Sequence, residues 1–273
     1  MIENEKAIGV FDSGVGGLTV FRELMQQMPK ERLIYFGDTA RVPYGSKSKE
    51  TITQYTRQIV RFLRTQNVKA IVAACNTASA LALDEVEKET DIPMLGVVYP
   101  GAVSASKRTR NGIIGLIGTD ATISSGIYEK ILKEINPDVK VIGKACPLFV
   151  PLAEEGLIDD PVTTEIAGRY LAGLIDSDID TLIMGCTHYP LIKDTLRKVV
   201  GDDVELVNPA YETAVECRKM LTERGLLNDN DIELGESAYR FYVSDEAEKF
   251  KGIANMILPL GILGAKKIAI EDY

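Results

Sequence analysis

The sequence predicts an α/β protein made of two similar domains with mainly parallel sheets, related by a pseudo-twofold axis. Three observations carry this. Short apolar runs alternate along the chain with amphipathic stretches, the rhythm of βαβ units. Several of the runs are apolar throughout, such as Ala70-Ile71-Val72-Ala73-Ala74, which suits strands covered on both faces. The third observation is an internal likeness. Ile8-Gly9-Val10-Phe11-Asp12-Ser13-Gly14 opens one half and Ile114-Gly115-Leu116-Ile117-Gly118-Thr119-Asp120 the other. Each half later has an apolar strand ending in a cysteine, Ile71 to Cys75-Asn76-Thr77 and Leu182 to Cys186-Thr187-His188. Asp12 to Cys75 is 63 positions and Gly118 to Cys186 is 68.

In chain order, a strand is predicted at 7–11, followed by a glycine-rich turn and a helix at 18–28. A strand at 33–36 precedes a helix at 49–65, where Ile52, Tyr55, Ile59, Phe62 and Leu63 share one face. The strand at 70–74 leads into a helix at 77–89, and a further strand falls at 94–98. The rhythm resumes with a strand at 113–117, a helix at 121–134 and a strand at 139–142. A helix at 163–175, a strand at 181–184, a helix at 191–200, a strand at 204–207 and a helix at 211–223 follow. Residues 239–243 alternate like a strand, and 267–270 are read as another. Breaks at Tyr99-Pro100-Gly101 and Asn208-Pro209 divide the chain into a first, discontinuous domain of 1–98 plus 209–273 and a second of 99–208.

Composition narrows the function. The 273 residues carry 31 basic and 40 acidic side chains, a formal charge of −9. A nucleic-acid or anionic-membrane surface needs a basic footprint, so neither partner is expected. Lys107-Arg108-Thr109-Arg110 reads as a solvated helix end. No apolar run approaches the ~20 residues of a membrane span. The polar start Met1-Ile2-Glu3-Asn4-Glu5-Lys6 does not read as an export signal, so a cytoplasmic protein is expected. Four widely spaced cysteines and one histidine give no zinc-binding pattern, and the thiols are expected to be free.

Ligands of open parallel sheets bind beyond the carboxyl ends of the strands, which places the active site in the cleft between the domains. Cys75 and Cys186 both stand there, each ahead of a helix whose N-terminus should lower the thiol pKa. Either alone could be a core residue; the matched pair favours function. Cys146 and Cys217 read as packing. A pseudo-twofold axis would set the two thiols on opposite sides of one ligand, which suits removing a proton from one face of a carbon and returning one to the other. Asp12 is either a helix cap or a base near Cys75. The glycines of Asp12-Ser13-Gly14-Val15-Gly16-Gly17 lack dinucleotide and P-loop spacing and suit a turn around a small anion. Arg41 is the exceptional cation among the crevice loops, and Tyr44, between Pro43 and Gly45, either packs or binds. A carboxylate ligand would otherwise rely on backbone N–H groups and on Ser13, Asn76, Thr77, Thr119, Thr122 and Thr187. His188 gains weight from its neighbour Cys186, and Glu154 follows an apolar stretch, where burial would raise its pKa.

The segments Gly9 to Leu18, Pro43-Tyr44-Gly45, Cys75-Asn76-Thr77-Ala78-Ser79 and Gly185-Cys186-Thr187-His188-Tyr189-Pro190 together resemble the glutamate branch of the aspartate/glutamate racemase superfamily. The resemblance implies a cofactor-independent two-base racemase acting on glutamate as its small-molecule substrate, supplying D-glutamate for peptidoglycan, and often a homodimer. It implies that Cys75 and Cys186 are the acid/base groups, that Asp12 assists Cys75, and that Glu154 and His188 assist Cys186. It further implies substrate binding by Asp12, Ser13, Tyr44, Gly45, Asn76, Thr77, Thr187 and His188; with Pro43 of the turn and Thr119 and Thr122 of the crevice these make the expected binding set, and no metal is expected. The residues themselves leave rivals open: a sister racemase acting on aspartate or hydantoins, a hydrolase using Cys186 and His188, and a two-lobed binding protein with structural cysteines.

Overall fold

The computed structural model describes residues 3–230, 238–259 and 261–273; Met1 and Ile2 of the polar N-terminal stretch, and 231–237 and 260 of the segment assigned to the first domain, lie outside the described residues. The first elements are β1 (Ile8–Asp12), α1 (Leu18–Gln27), β2 (Leu33–Gly37), α2 (Lys49–Thr65), β3 (Ala70–Ala73), α3 (Asn76–Leu81), α4 (Leu83–Val86) and β4 (Met94–Gly96). The chain continues through α5 (Val98–Arg108), β5 (Ile113–Gly118), α6 (Asp120–Ser124), α7 (Ile127–Ile135), β6 (Lys140–Ala145), α8 (Phe149–Glu154), α9 (Pro161–Ile175), β7 (Thr181–Gly185), α10 (Lys193–Val200) and β8 (Glu205–Val207). It closes with α11 (Pro209–Glu223), β9 (Tyr239–Val243), α12 (Ala247–Ile257) and β10 (Lys266–Lys267).

These strands form two parallel sheets. The larger has the order β10-β9-β2-β1-β3-β4 and the smaller β6-β5-β7-β8. The smaller order is matched by β2-β1-β3-β4 within the larger: in each, the first strand lies between the second and the third. The internal likeness of the sequence is thus a likeness of topology. In both sheets the order reverses direction between the first and third strands; the ends of those strands and the loops leaving them carry Asp12 and Cys75 in one, Thr119 and Cys186 in the other.

The period of two along the strands builds two cores per sheet. Ile8, Val10, Leu33, Tyr35 and Val72 face a cluster completed by α1, α11 and α12. Phe11, Ile34, Phe36, Ile71 and Ala73 face the opposite cluster, with Ile52, Ile59, Phe62 and Leu63 of α2. In the smaller sheet Ile117, Leu182 and Met184 pack on α9 and α10, while Ile114, Leu116 and Ile183 pack on α5 and α7. Burying one such side chain contributes about 1.5–3 kcal/mol, so a one-residue slip of any central strand would be costly.

Helix starts follow local chemistry. Ser48 caps α2 by accepting from Thr51 N, Asp160 caps α9 through Val162 N, and Asn208 caps α11 through Ala210 N, the last two with proline at the first helical position.

Several predicted elements differ. The helix at 77–89 breaks at Ala82 into α3, α4 and a 3-10 turn, and the helix at 121–134 breaks at Gly126, whose φ of +64° leaves the helical region. The strand at 94–98 ends at Gly96, and Tyr99-Pro100-Gly101 lies in the first turn of α5. Proline is tolerated there because first-turn N–H groups have no partner within the helix. Pro151 hid α8 in the same way. Lys107 and Arg108 do end a helix, α5. The strand at 267–270 reduces to β10, since buried Ile270 enters a 3-10 turn instead. Helix α12 was not anticipated. Among the described residues, no helix is long and apolar enough to cross a membrane.

Candidate active site

A cavity of about 370 Å³ opens where the strand ends of the two sheets meet, and both Cys75 and Cys186 line it. Cys75 follows β3 and precedes α3; Cys186 follows β7. Both are buried, and Cys146 and Cys217 are free thiols elsewhere in the cores. The remaining lining comes from Ser13, the 42–46 loop, Asn76, Thr77, Thr119, Asp120, Thr187 and His188, with Pro147, Val150, Pro151 and Glu154 from the α8 side.

Two glycines let the parts close. A Cβ on Gly16 would stand 2.4 Å from Thr187 Oγ1 and 2.5 Å from His188 Nδ1, so only glycine permits this approach between the first loop and the Cys186 loop. A Cβ on Gly45 would stand 2.6 Å from Thr119 Cβ. The contact is reinforced by hydroxyls: Thr19 on α1 lies 2.9 Å from Gly16 O and 3.1 Å from Thr187 O. Thr77 meets Thr119 at 3.0 Å and Thr122 at 3.4 Å.

The Cys75 side is an acidic, enclosed environment. Asp12 ends β1, is fully buried and does not line the cavity. Its Oδ2 accepts from Gly14 N at 3.0 Å, and its Oδ1 accepts from the Thr187 hydroxyl at 3.4 Å. It is not the cap of α1, a position held by Gly17. Burial pushes its pKa up, while His188 and the backbone N–H groups of the loop pull it back. Cys75 does not have the lowered pKa that its helix suggested. Burial, and then the charge of Asp12, push it up to about 12, outweighing the Ala78 N–H and the Ser13 hydroxyl that bond the sulfur. Helix α3 is a short helix, and desolvation of a buried thiolate is the larger effect.

The Cys186 side is built differently. His188 Nδ1 lies 3.9 Å from Cys186 Sγ, and His188 Nε2 lies 2.9 Å from Glu154 Oε1. Burial alone would depress the imidazole, but its bonds to Cys186 and Glu154 and the nearby negative charges raise it to about 10. Glu154 departs from expectation. Its pKa is lowered, because the bond to His188 outweighs burial of a carboxyl that remains a quarter exposed.

Arg41 does not line the cavity. Its Nε donates to both oxygens of buried Asp38 at 2.7 and 3.0 Å, its Nη1 donates to Gln58, and its guanidinium lies on the Tyr55 ring. Tyr44 and Ser244 also donate to Asp38, so this carboxylate ties down the loop that presents Pro43, Tyr44 and Gly45 to the cavity. Asp38 was missed in the sequence because its partners are scattered from Arg41 to Ser244. Thr122 stands behind Thr119, donating its N–H to Thr119 Oγ1 at 3.2 Å, and does not line the cavity. Val42, Ser46, Asp120, Pro147, Val150 and Pro151 are lining residues that were not selected, although each adjoins a segment that was. Among the described residues no cluster of three or more histidine, cysteine or carboxylate side chains could hold a metal ion.

Two buried thiols at equivalent strand ends, one beside a carboxylate and one beside a histidine, can act on a small ligand from two directions. Comparison with known proteins is consistent with that geometry. The sequence profile of the Asp/Glu/Hydantoin racemase family matches residues 8–217. A protein named glutamate racemase from Geobacter metallireducens is 49% identical over 253 residues, covering 93% of each chain. The structure of a glutamate racemase from Bacillus anthracis superposes with a TM-score of 0.92 at 41% identity, covering 97% of this chain and 98% of that one. A glutamate racemase from Francisella tularensis, solved with D-glutamate, gives 0.91 at 38% identity over 99% of this chain and 100% of that one. On the length of the match and the identity to these relatives, the chain belongs to the Asp/Glu/Hydantoin racemase family.

Proposed function

We propose that this protein is a glutamate racemase, interconverting L- and D-glutamate without a cofactor through two cysteines. The observation that carries this reading is the pair of thiols at one cavity, each at the end of the third strand of its sheet. The names of the relatives supply glutamate as the substrate.

One thiolate removes the Cα proton, so the C–H bond breaks and an S–H bond forms. The opposite thiol delivers its proton to the other face of Cα, restoring a C–H bond with inverted configuration and leaving a thiolate. The reverse reaction starts from that exchanged state. Asp12 assists proton movement at Cys75, and His188 with Glu154 assists it at Cys186. The Cα–H bond is very weakly acidic, and a positioned acid or base contributes about 10²–10⁴ in rate. The rest of the barrier falls to donors around the substrate carboxylates in a site closed to water. Ser13, Asn76, Thr77, Thr119, Thr187 and the loop of Pro43, Tyr44 and Gly45 are assigned to substrate binding, with Thr122 holding Thr119.

The domains are assigned as 1–98 plus 209–273 and 99–208, the cleft closing over substrate. A cytoplasmic homodimer supplying D-glutamate for peptidoglycan is the setting we assign.

The Cys186–His188–Glu154 chain would also suit a cysteine hydrolase. That reading leaves Cys75, which lines the same cavity, without a task. The test is circular dichroism of L-glutamate with purified protein and no added cofactor. Decay of the signal to zero, with glutamate concentration unchanged, is expected; a stable signal with folded protein would overturn the assignment.

A further inference from the structure

A side-chain amide has an acceptor end and a donor end, and half a turn exchanges them. Asn76 lines the cavity beside Cys75, and its Oδ1 accepts a 2.7 Å hydrogen bond from the Tyr128 hydroxyl. Tyr128 belongs to α7 and is 1% exposed, so the bond is shielded from water. Burial and the charge of Cys186 push the phenol above the ordinary tyrosine range, so it keeps its proton and remains a donor. A buried O–H proton that needs an acceptor sets the polarity of the amide, because turning the amide would leave that proton unpaired. The bond also joins the two halves: Asn76 opens the helix after β3, whereas Tyr128 packs in a core of the smaller sheet.

We propose that Tyr128 is a positioning residue for the substrate, holding the Asn76 amide so that Nδ2 faces the cavity and donates to a carboxylate of glutamate. This rests on the glutamate reading above. The lining explains why the orientation matters. Among its described residues there is no lysine or arginine, the two ring nitrogens of His188 already face Cys186 and Glu154, and Asp120 and Glu154 are carboxylates. A substrate carboxylate must therefore be met by N–H and O–H donors. The hydroxyls of Thr77 and Thr119 can turn to suit it, since each is both donor and acceptor. Asn76 turned the other way would set a lone pair against a negative charge. The Tyr128 oxygen could accept from the turned amide, but its own buried proton, which among the described residues goes only to Asn76, would then lack an acceptor, and this disfavours that rotamer.

Tyr128→Phe deletes only the hydroxyl. It is expected to raise KM for both glutamate enantiomers about tenfold, the effect of one hydrogen bond to a charged group. It is expected to change kcat by less than about threefold, because the contact is made before and during the reaction. In an Asn76→Ala background the same substitution is expected to be nearly silent. Equal losses in both backgrounds would indicate a packing role and overturn the proposal, as would an unchanged KM. A second readout needs no turnover: the ¹⁵N–¹H resonances of the Asn76 side chain in ligand-free protein are expected to move in Tyr128→Phe. If the wild-type protein leaves glutamate untouched, the functional reading fails. The amide spectrum still decides on Tyr128, and unchanged Asn76 resonances would overturn its role.

Discussion

Cys75 and Cys186 occupy the same place in two sheets that share a four-strand order, yet they meet different surroundings. Beside Cys75 are a buried carboxylate, Asp12, and the Ser13 hydroxyl. Beside Cys186 is an imidazole whose pKa is raised to about 10, held from behind by Glu154. Topology repeats the position of the sulfur atom; the residues around it do not repeat. The difference suits a reaction that must run in both directions on two mirror-image substrates. Each face needs a proton carrier at the same distance from one carbon, and each carrier needs its own means of holding or releasing the proton. The two loops are also interlocked, because the Thr187 hydroxyl of the Cys186 loop donates to Asp12 on the Cys75 side.

The largest expected effect breaks the pair itself. Cys75→Ala and Cys186→Ala should each lower kcat by at least about 10²–10⁴ while leaving the fold intact, measured by polarimetry with both enantiomers. A variant that keeps near-normal turnover would remove its thiol from the reaction. Gly16→Ala comes next, because the added Cβ would stand 2.4 Å from Thr187 Oγ1 and disturb both loops at once. Its kcat should fall roughly 10²-fold, the scale of a misplaced reacting group.

Exchanging the helpers sharpens the contrast. Asp12→Asn should slow racemisation by about 10²-fold, a positioned acid or base being worth that much or more. It should also raise the melting temperature, since it removes a carboxylate whose ionisation burial opposes. Glu154→Gln should cost less, about tenfold, consistent with loss of one charge-assisted bond. Equal losses, or a lower melting temperature in Asp12→Asn, would contradict the distinction between the two sides.

A smaller effect concerns pH. His188 has a folded pKa raised from 6.5 to about 10. A raised histidine contributes stability that is complete below its unfolded pKa and is lost as pH rises through the folded one. Stability should therefore decline from about pH 6.5 to 10, and His188→Asn should flatten that slope in denaturant titrations. The smallest effects are expected at Cys146→Ser and Cys217→Ser. These change buried thiols away from the cavity and should leave kcat within about threefold.

Most of the lining of the candidate site was legible because it lies in short contiguous segments at strand ends. Cys75-Asn76-Thr77 and Cys186-Thr187-His188 each follow an apolar run, and the parallel fold sends such ends to the ligand. What escaped depends on distance or on competition between effects. Asp38 is recognised only by partners that the fold gathers, and Arg41 is drawn to it rather than to the cavity. The pKa of Cys75 turned on burial exceeding a short helix, and that of Glu154 on a bond to His188 exceeding burial. Neither balance can be weighed without coordinates. Helices α5 and α8 were hidden by prolines that break a helix in its middle and not in its first turn.

The most direct test of two thiols working from opposite faces is the fate of the Cα hydrogen when L-glutamate is racemised in D₂O and sampled early by mass spectrometry of the separated enantiomers. The D-glutamate formed should carry one deuterium at Cα, delivered by a solvent-exchanged thiol, while unreacted L-glutamate keeps its protium. Deuterium appearing in L-glutamate as fast as in D-glutamate, or protium retained in the product, would mean that one group serves both faces.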